Sequence, residues 1–189
     1  LLIIGLASQL IHWQDEFCQQ IAYKGFYVIR YDNIDSGLST KFEGLGSDEI
    51  MEKITALFSG QKVSVPYTIE DMSNDAVGLL DIMKIEKAHI CGMSMGGFIA
   101  QTFAINYPSR AISLTSIYSH CGNRNEFLPS QEAVEAMMKP IPKDRDGAVE
   151  YMVDFLKLIY GSGLPFDDEF HKRIAAQAFD RSFCPDGIG

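Results

Sequence analysis

Cys91-Gly92-Met93-Ser94-Met95-Gly96-Gly97 decides how this chain is read. A short apolar strand is expected over Ala88 to Cys91 and a helix over roughly Gly96 to Tyr107, so Ser94 falls on the turn between them. On such a turn a serine is pushed into a strained backbone conformation with its hydroxyl exposed, and a side chain on Gly92 or Gly96 would collide with its neighbours. The N–H of Met95 then opens a helix, where it can stabilise negative charge on a substrate oxygen. The competing reading is an ordinary glycine-rich turn. The strand before and the helix after favour a nucleophile.

Working outward, Leu1 to Ile4, Tyr27 to Tyr31, Ala88 to Cys91 and Ile112 to Tyr118 read as parallel, fully buried strands. Each is short, apolar and rich in β-branched or aromatic residues, and helical patterns separate them. That alternation predicts a mostly parallel, doubly wound α/β sheet. Trp13 to Lys24 is amphipathic, with Phe17, Ile21 and Ala22 on one side and Gly25 placed to stop it. Thr68 and Asp71 form a capping box with Asp in place of Glu. Behind it, Ile69, Met72, Ala76, Leu79, Leu80 and Met83 fall on one helical stripe. The helix after Ser94 carries Phe98, Ile99, Thr102, Phe103 and Ile105 and ends before Pro108. A further helix is expected at about Asp48 to Phe58. From His120 onward three helical stretches (Gln131 to Met138, Gly147 to Ile159, Asp168 to Asp180) follow with no strand between them. They read as a lid over the C-terminal strand edge, where ligands bind in such sheets. The expected division is a core over residues 1–119 and a helical lid over 120–189.

The 189 residues carry a net charge of −9 and are 47% hydrophobic. That size accommodates one core with an inserted subdomain, and the acidic balance argues against nucleic acid or an anionic membrane as partner. The four cysteines, Cys18, Cys91, Cys121 and Cys184, include no C-x-x-C pair. A disulfide framework or zinc site is therefore not expected, Cys91 reads as a small buried hydrophobe, and a cytoplasmic setting is expected. No signal peptide or spanning segment is expected, because Leu1-Leu2-Ile3-Ile4 is too short. Because it begins on a strand without a methionine, the chain is read as part of a longer one.

These stretches resemble the α/β-hydrolase fold superfamily over essentially the whole chain. Leu1-Leu2-Ile3-Ile4-Gly5-Leu6 is similar to the family's third strand and oxyanion loop. Tyr31-Asp32-Asn33-Ile34-Asp35-Ser36-Gly37-Leu38-Ser39-Thr40 is similar to the segment after the fourth strand. Tyr67 to Met72 resembles the start of the helix before the elbow, and Ala88 to Gly97 the elbow itself. The likeness is strongest to aclacinomycin methylesterases and enol-lactone hydrolases. It implies that Ser94 attacks an acyl carbonyl and that the N–H groups of Met95 and Leu6 bind the oxyanion. Ile4 stands where many members have histidine, and Ile34 where an arginine is usual.

A serine needs a base, and the base an orienting carboxylate. The resemblance places both beyond Gly189, so little or no turnover is expected of this chain alone. Among the histidines present, His12 reads as a pocket-wall or cap residue, His89 as a buried core histidine, and His171 as solvent-facing. His120 reads as a pocket-lining residue or, less in keeping with the family order, a base. Met93 is a further pocket candidate. Asp32 and Asp35 read as loop-bracing turn residues rather than catalytic carboxylates. Met137, Met138, Met152, Phe155 and Phe166 fit either core packing or an apolar acyl pocket.

The resulting expectation is a serine hydrolase of small or medium carboxylic esters or lactones, working through an acyl-enzyme, with no metal or organic cofactor implied. Carbon–carbon bond hydrolysis or perhydrolysis on the same serine, and a non-catalytic small-molecule binding module, are the alternatives.

Overall fold

The computed structural model describes residues 1–42, 52–53, 56, 59, 61–122, 130–137, 139–161 and 163–184. The helix expected at Asp48 to Phe58 falls largely, and Met138 wholly, outside the described residues. The chain forms two compact units, Leu1–Gly122 and Asn123–Pro185.

In the first unit a parallel sheet is ordered β1 (Leu2–Ile3), β2 (Ala88–Met93), β3 (Ala111–Ile117). Leu2 pairs with Cys91, Ile3 with Gly92, and Met93 with Ile117. Side chains alternate across a strand, and the core splits accordingly. Leu1, Ile3 and Ile90 join Met72, Ala76 and Leu80 of α2 (Ile69–Ile82) and Ile99, Ala100 and Phe103 of α3 (Met95–Asn106). Leu2 and Ile4 pack with Trp13 on the other face, where Cys18 of α1 (Asp15–Tyr23), Cys91 and Met93 close over them. Helices on both faces bear out the doubly wound α/β expectation.

Several elements differ from expectation in pairing or burial. Tyr27–Tyr31 runs extended rather than as a full strand: its ladder is one bridge from Arg30 to Leu2, with the Leu2 N–H on the Ile29 carbonyl at 2.8 Å. β1 is two residues long because the chain turns away at Gly5, which leaves little to pair with. β3 is not fully buried: Ile112 is 51% and Leu114 42% exposed, since in the described sheet β3 is an edge with one neighbour. Neither α1 nor the end of α3 is fully covered; α1 buries no residue and Ile105 is exposed.

The second unit is helical: α4 (Gln131–Met137), α5 (Arg145–Tyr160) and α6 (Asp168–Arg181). Asp144 caps α5 through the Gly147 N–H at 2.8 Å, and Asp167 caps α6 through the Phe170 N–H at 3.0 Å. Arg145 on α5 forms a two-pronged pair with Asp180 on α6 at 2.7 and 2.8 Å.

Candidate active site

Ser94 joins β2 to α3 at φ 56, ψ −123, a left-handed φ that costs a non-glycine residue energy. Its side chain is exposed. The Ser94 N–H donates to the Ile117 carbonyl at 2.8 Å, and its carbonyl accepts from the Gly97 N–H at 2.8 Å. The glycines make the turn possible. A Cβ on Gly92 would meet the Gly96 carbonyl and come within 2.8 Å of the Gly97 nitrogen. One on Gly96 would meet the carbonyl of Ile3 and come within 2.7 Å of that of Ile4. The first turn of α3 therefore lies directly on the strand ends.

Met95 is the first residue of α3, so its N–H belongs to the helix-opening set without intrahelical acceptors, at the positive end of the helix dipole. The loop after β1 comes to the same place: a Cβ on Gly5 would sit 3.0 Å from Ser94 Cβ and 3.4 Å from Ser94 Oγ. Leu6, the next residue, is 38% exposed. Ser94, Met95 and the Gly5–Leu6 loop are thus gathered at one strand end.

The other sequence candidates have structural partners. Met93 is half-buried against Leu2, Ile4 and Trp13. His12 closes a short 3-10 turn, its Nδ1 lying 3.0 Å from both the N–H and the carbonyl of Gln9. His120 Nδ1 accepts from the Gly122 N–H at 2.9 Å, and its ring meets Phe98 edge-on at 5.0 Å. Asp32 accepts backbone N–H groups from Leu10 at 2.7 Å and Leu38 at 2.9 Å, and Asp35 one from Phe42 at 2.6 Å. Among the described residues no histidine or carboxylate is hydrogen-bonded to Ser94 Oγ.

Two histidines differ from expectation. His89 is exposed, not buried; its Nδ1 shares a 2.7 Å hydrogen bond with Ser113 Oγ, and Phe26 meets its ring edge-on. It alternates onto one sheet face with Cys91 and Met93, but the cluster of Leu2, Ile4 and Trp13 that takes in those two does not include it. His171 is half-buried, not solvent-facing, and stacks on Phe166 at 4.3 Å.

Cys91 is half-buried three residues before Ser94, and burial pushes its thiol up, so it stays protonated and a poor nucleophile. Gln101 escaped the sequence reading: its Nε2 donates to the carbonyls of Gly97 and His120 at 3.1 Å each, tying α3 to the chain after β3. An amide midway along an apolar helix was the available signal. Among the described residues no group of three His, Cys, Asp or Glu side chains could hold a metal ion, and no helix is long and apolar enough to cross a membrane.

A parallel sheet with helices on both faces, carrying one exposed serine on a strained strand-to-helix turn, defines an α/β protein of the serine-elbow class. The family model of the alpha/beta hydrolase fold matches residues 3–153, and the chain belongs to that family. It is similar to the rhodomycin D methylesterase of a Streptomyces species, 30% identical over 194 residues covering 92% of this chain and 59% of that protein. A 3-oxoadipate enol-lactonase of Acinetobacter baylyi is 34% identical over 108 residues, 56% of this chain and 31% of that protein. A methylesterase and an enol-lactonase are the kinds of hydrolase to which the resemblance pointed. Among solved structures, a meta-cleavage product hydrolase from Pseudomonas fluorescens superposes with TM-score 0.62 at 18% identity, covering 99% of this chain and 58% of that one. That likeness shows the fold. The chain spans 59% of the length of the methylesterase it matches.

Proposed function

We propose that this chain carries the nucleophile of a serine hydrolase acting on carboxylic esters or lactones. The observation that carries the reading is the exposed Ser94 at φ 56, set directly before the first turn of α3 and against Gly5 of the loop after β1. In the proposed reaction Ser94 Oγ attacks the acyl carbonyl as its proton passes to a base. The developing oxyanion takes hydrogen bonds from the N–H groups of Met95 and Leu6. Collapse expels the alcohol, which takes the proton from the base, and leaves an acyl-enzyme that water hydrolyses.

The base and its carboxylate are proposed to come from sequence outside this chain, since its relatives are longer and no described residue offers them to Ser94. The helical unit, next in order after β3, is proposed as a lid domain. The methylesterase and enol-lactonase descriptions of the relatives support a small ester or lactone as substrate.

Labelling by a fluorophosphonate probe in the intact protein tests the nucleophile. Label on Ser94, lost in Ser94→Ala together with about 10⁴-fold or more of the ester turnover, is the expected result. A folded protein whose Ser94 takes no label is a binding module, and one that cleaves diones while leaving esters untouched has a different substrate class.

A further inference from the structure

The loop that carries Leu6 is held from outside. Between Ile4 and Gln9 it turns through Ala7 at φ 57, a left-handed conformation that an alanine keeps only when its surroundings impose it. Its internal bonds are long: the Ser8 N–H reaches the Gly5 carbonyl at 3.4 Å and Ser8 Oγ the Leu6 carbonyl at 3.3 Å. The strong bonds come from the segment after the extended run at Tyr31. Asn33, 3% exposed, donates from Nδ2 to the Ile4 carbonyl at 2.9 Å, just before the turn. Ser36 Oγ donates to the Ser8 carbonyl at 2.5 Å, just after it. The Leu10 N–H donates to Asp32 Oδ1 at 2.7 Å.

That segment is in turn tied to itself. The Lys41 ammonium donates to the carbonyls of Ser36, Gly37 and Ser39 at 3.0, 2.7 and 2.7 Å, using all three of its protons on one turn. Ser39 Oγ donates to the Asp32 carbonyl at 2.6 Å. Charge-assisted bonds to carbonyls are among the stronger ones available to a loop.

We infer that residues 32–41 form a clamp that fixes the oxyanion loop over Ser94, with Asn33 and Ser36 as positioning residues and Lys41 as the lock on the clamp. Its catalytic consequence rests on the serine-hydrolase reading; its mechanical part does not. An oxyanion donor acts only when held in place before charge develops, and a displacement of about 1 Å costs on the order of 10²-fold in rate. The clamp therefore contributes to the transition state and little to substrate affinity.

Ser36→Ala and Lys41→Met in the intact protein test this in two ways. Ester kinetics should show kcat reduced about 10- to 100-fold with KM within about twofold, and Ser36→Thr, which keeps the hydroxyl, should recover most of the rate. Backbone NMR order parameters of Leu6 and Ala7 should drop from about 0.85 to below about 0.6, with those of α2 and α3 unchanged. Unchanged order parameters in both variants, or a loss appearing wholly in KM, would overturn the clamp. Should the intact protein cleave no ester, the serine-hydrolase reading fails, and the order parameters alone then decide the clamp.

Discussion

Ser94 keeps an unfavourable φ because its neighbours lack side chains, and the cost of giving them one can be assigned. A methyl group on Gly96 would press on the carbonyls of Ile3 and Ile4, and one on Gly92 on the Gly96 carbonyl; all are backbone, so no rotamer change relieves the overlap. Gly96→Ala is expected to cost about 3 kcal/mol or more in urea unfolding, beyond ordinary overpacking because strand and helix must separate. Gly78→Ala in α2 is the control: nothing lies within 4 Å of its Cβ position, so it should stabilise by up to about 1 kcal/mol. An equal loss in both variants would remove the packing argument. The elbow was legible in the sequence because its signal is local, a G-x-S-x-G spacing with strand before and helix after. Gly5 over Ser94 was reached only through family resemblance, since no spacing rule links residues so far apart. His89 was misread because burial on its sheet face depends on how far Trp13 and α1 extend, which the strand does not encode.

At the scale of elements, α2 shows local and tertiary signals agreeing. Thr68 Oγ1 accepts the Asp71 N–H at 3.2 Å, and the Asp71 carboxylate accepts the Thr68 N–H at 2.8 Å and its hydroxyl at 2.8 Å. Those bonds from Thr68 hold the Asp71 carboxyl below the usual carboxylate range. Met72, Ala76 and Leu80 then fall on one stripe and are all buried. Thr68→Ala is expected to cost about 1 kcal/mol, a drop of roughly 2–4 °C in Tm, read by calorimetry. A Tm within about 0.5 °C of wild type would show that the cap carries no net stability. β3 and α3 show the limit of such reading. α3 is apolar over much of its circumference, and β3 sets Ile112 and Leu114 on the face opposite Ser113 and Thr115, yet neither pattern says which neighbours are there to cover it; Ile99 and Phe103 are buried while Ile105, Ile112 and Leu114 are exposed. Burial belongs to the neighbours of an element, and for an edge strand those neighbours are not in its own pattern.

For the whole molecule, the two units differ in build: the first packs helices on both faces of a sheet, and the second is helical, buries Ala148, Val153, Ile174 and Ala175, and carries an aromatic cluster. That cluster gives the helical unit a pH dependence of its own. His171 was read as solvent-facing because Glu169, Lys172 and Arg173 surround it in sequence. Helical spacing instead sets it on the face of Ile174 and Ala175, which are buried. Its ring stacks on Phe166 and meets Tyr160 and Phe170 edge-on at 5.8 and 5.1 Å. Burial among these rings lowers its pKa; Asp167 and Asp168 oppose the shift without reversing it, and Lys157 is paired to Asp168. The neutral ring is therefore the folded form. The unfolded chain takes up the proton first as pH falls past about 6.5, so ν_U exceeds ν_N and stability is lost below that value until the lower folded pKa is passed. Side-chain NMR titration should place the His171 pKa below about 6.5. Urea midpoints between pH 7.5 and 5.5 should fall further in wild type than in His171→Phe, which keeps the stacked ring but cannot titrate. Parallel pH profiles for the two proteins, or a His171 pKa at or above the ordinary histidine value, would mean that the aromatic cluster leaves the imidazole fully hydrated.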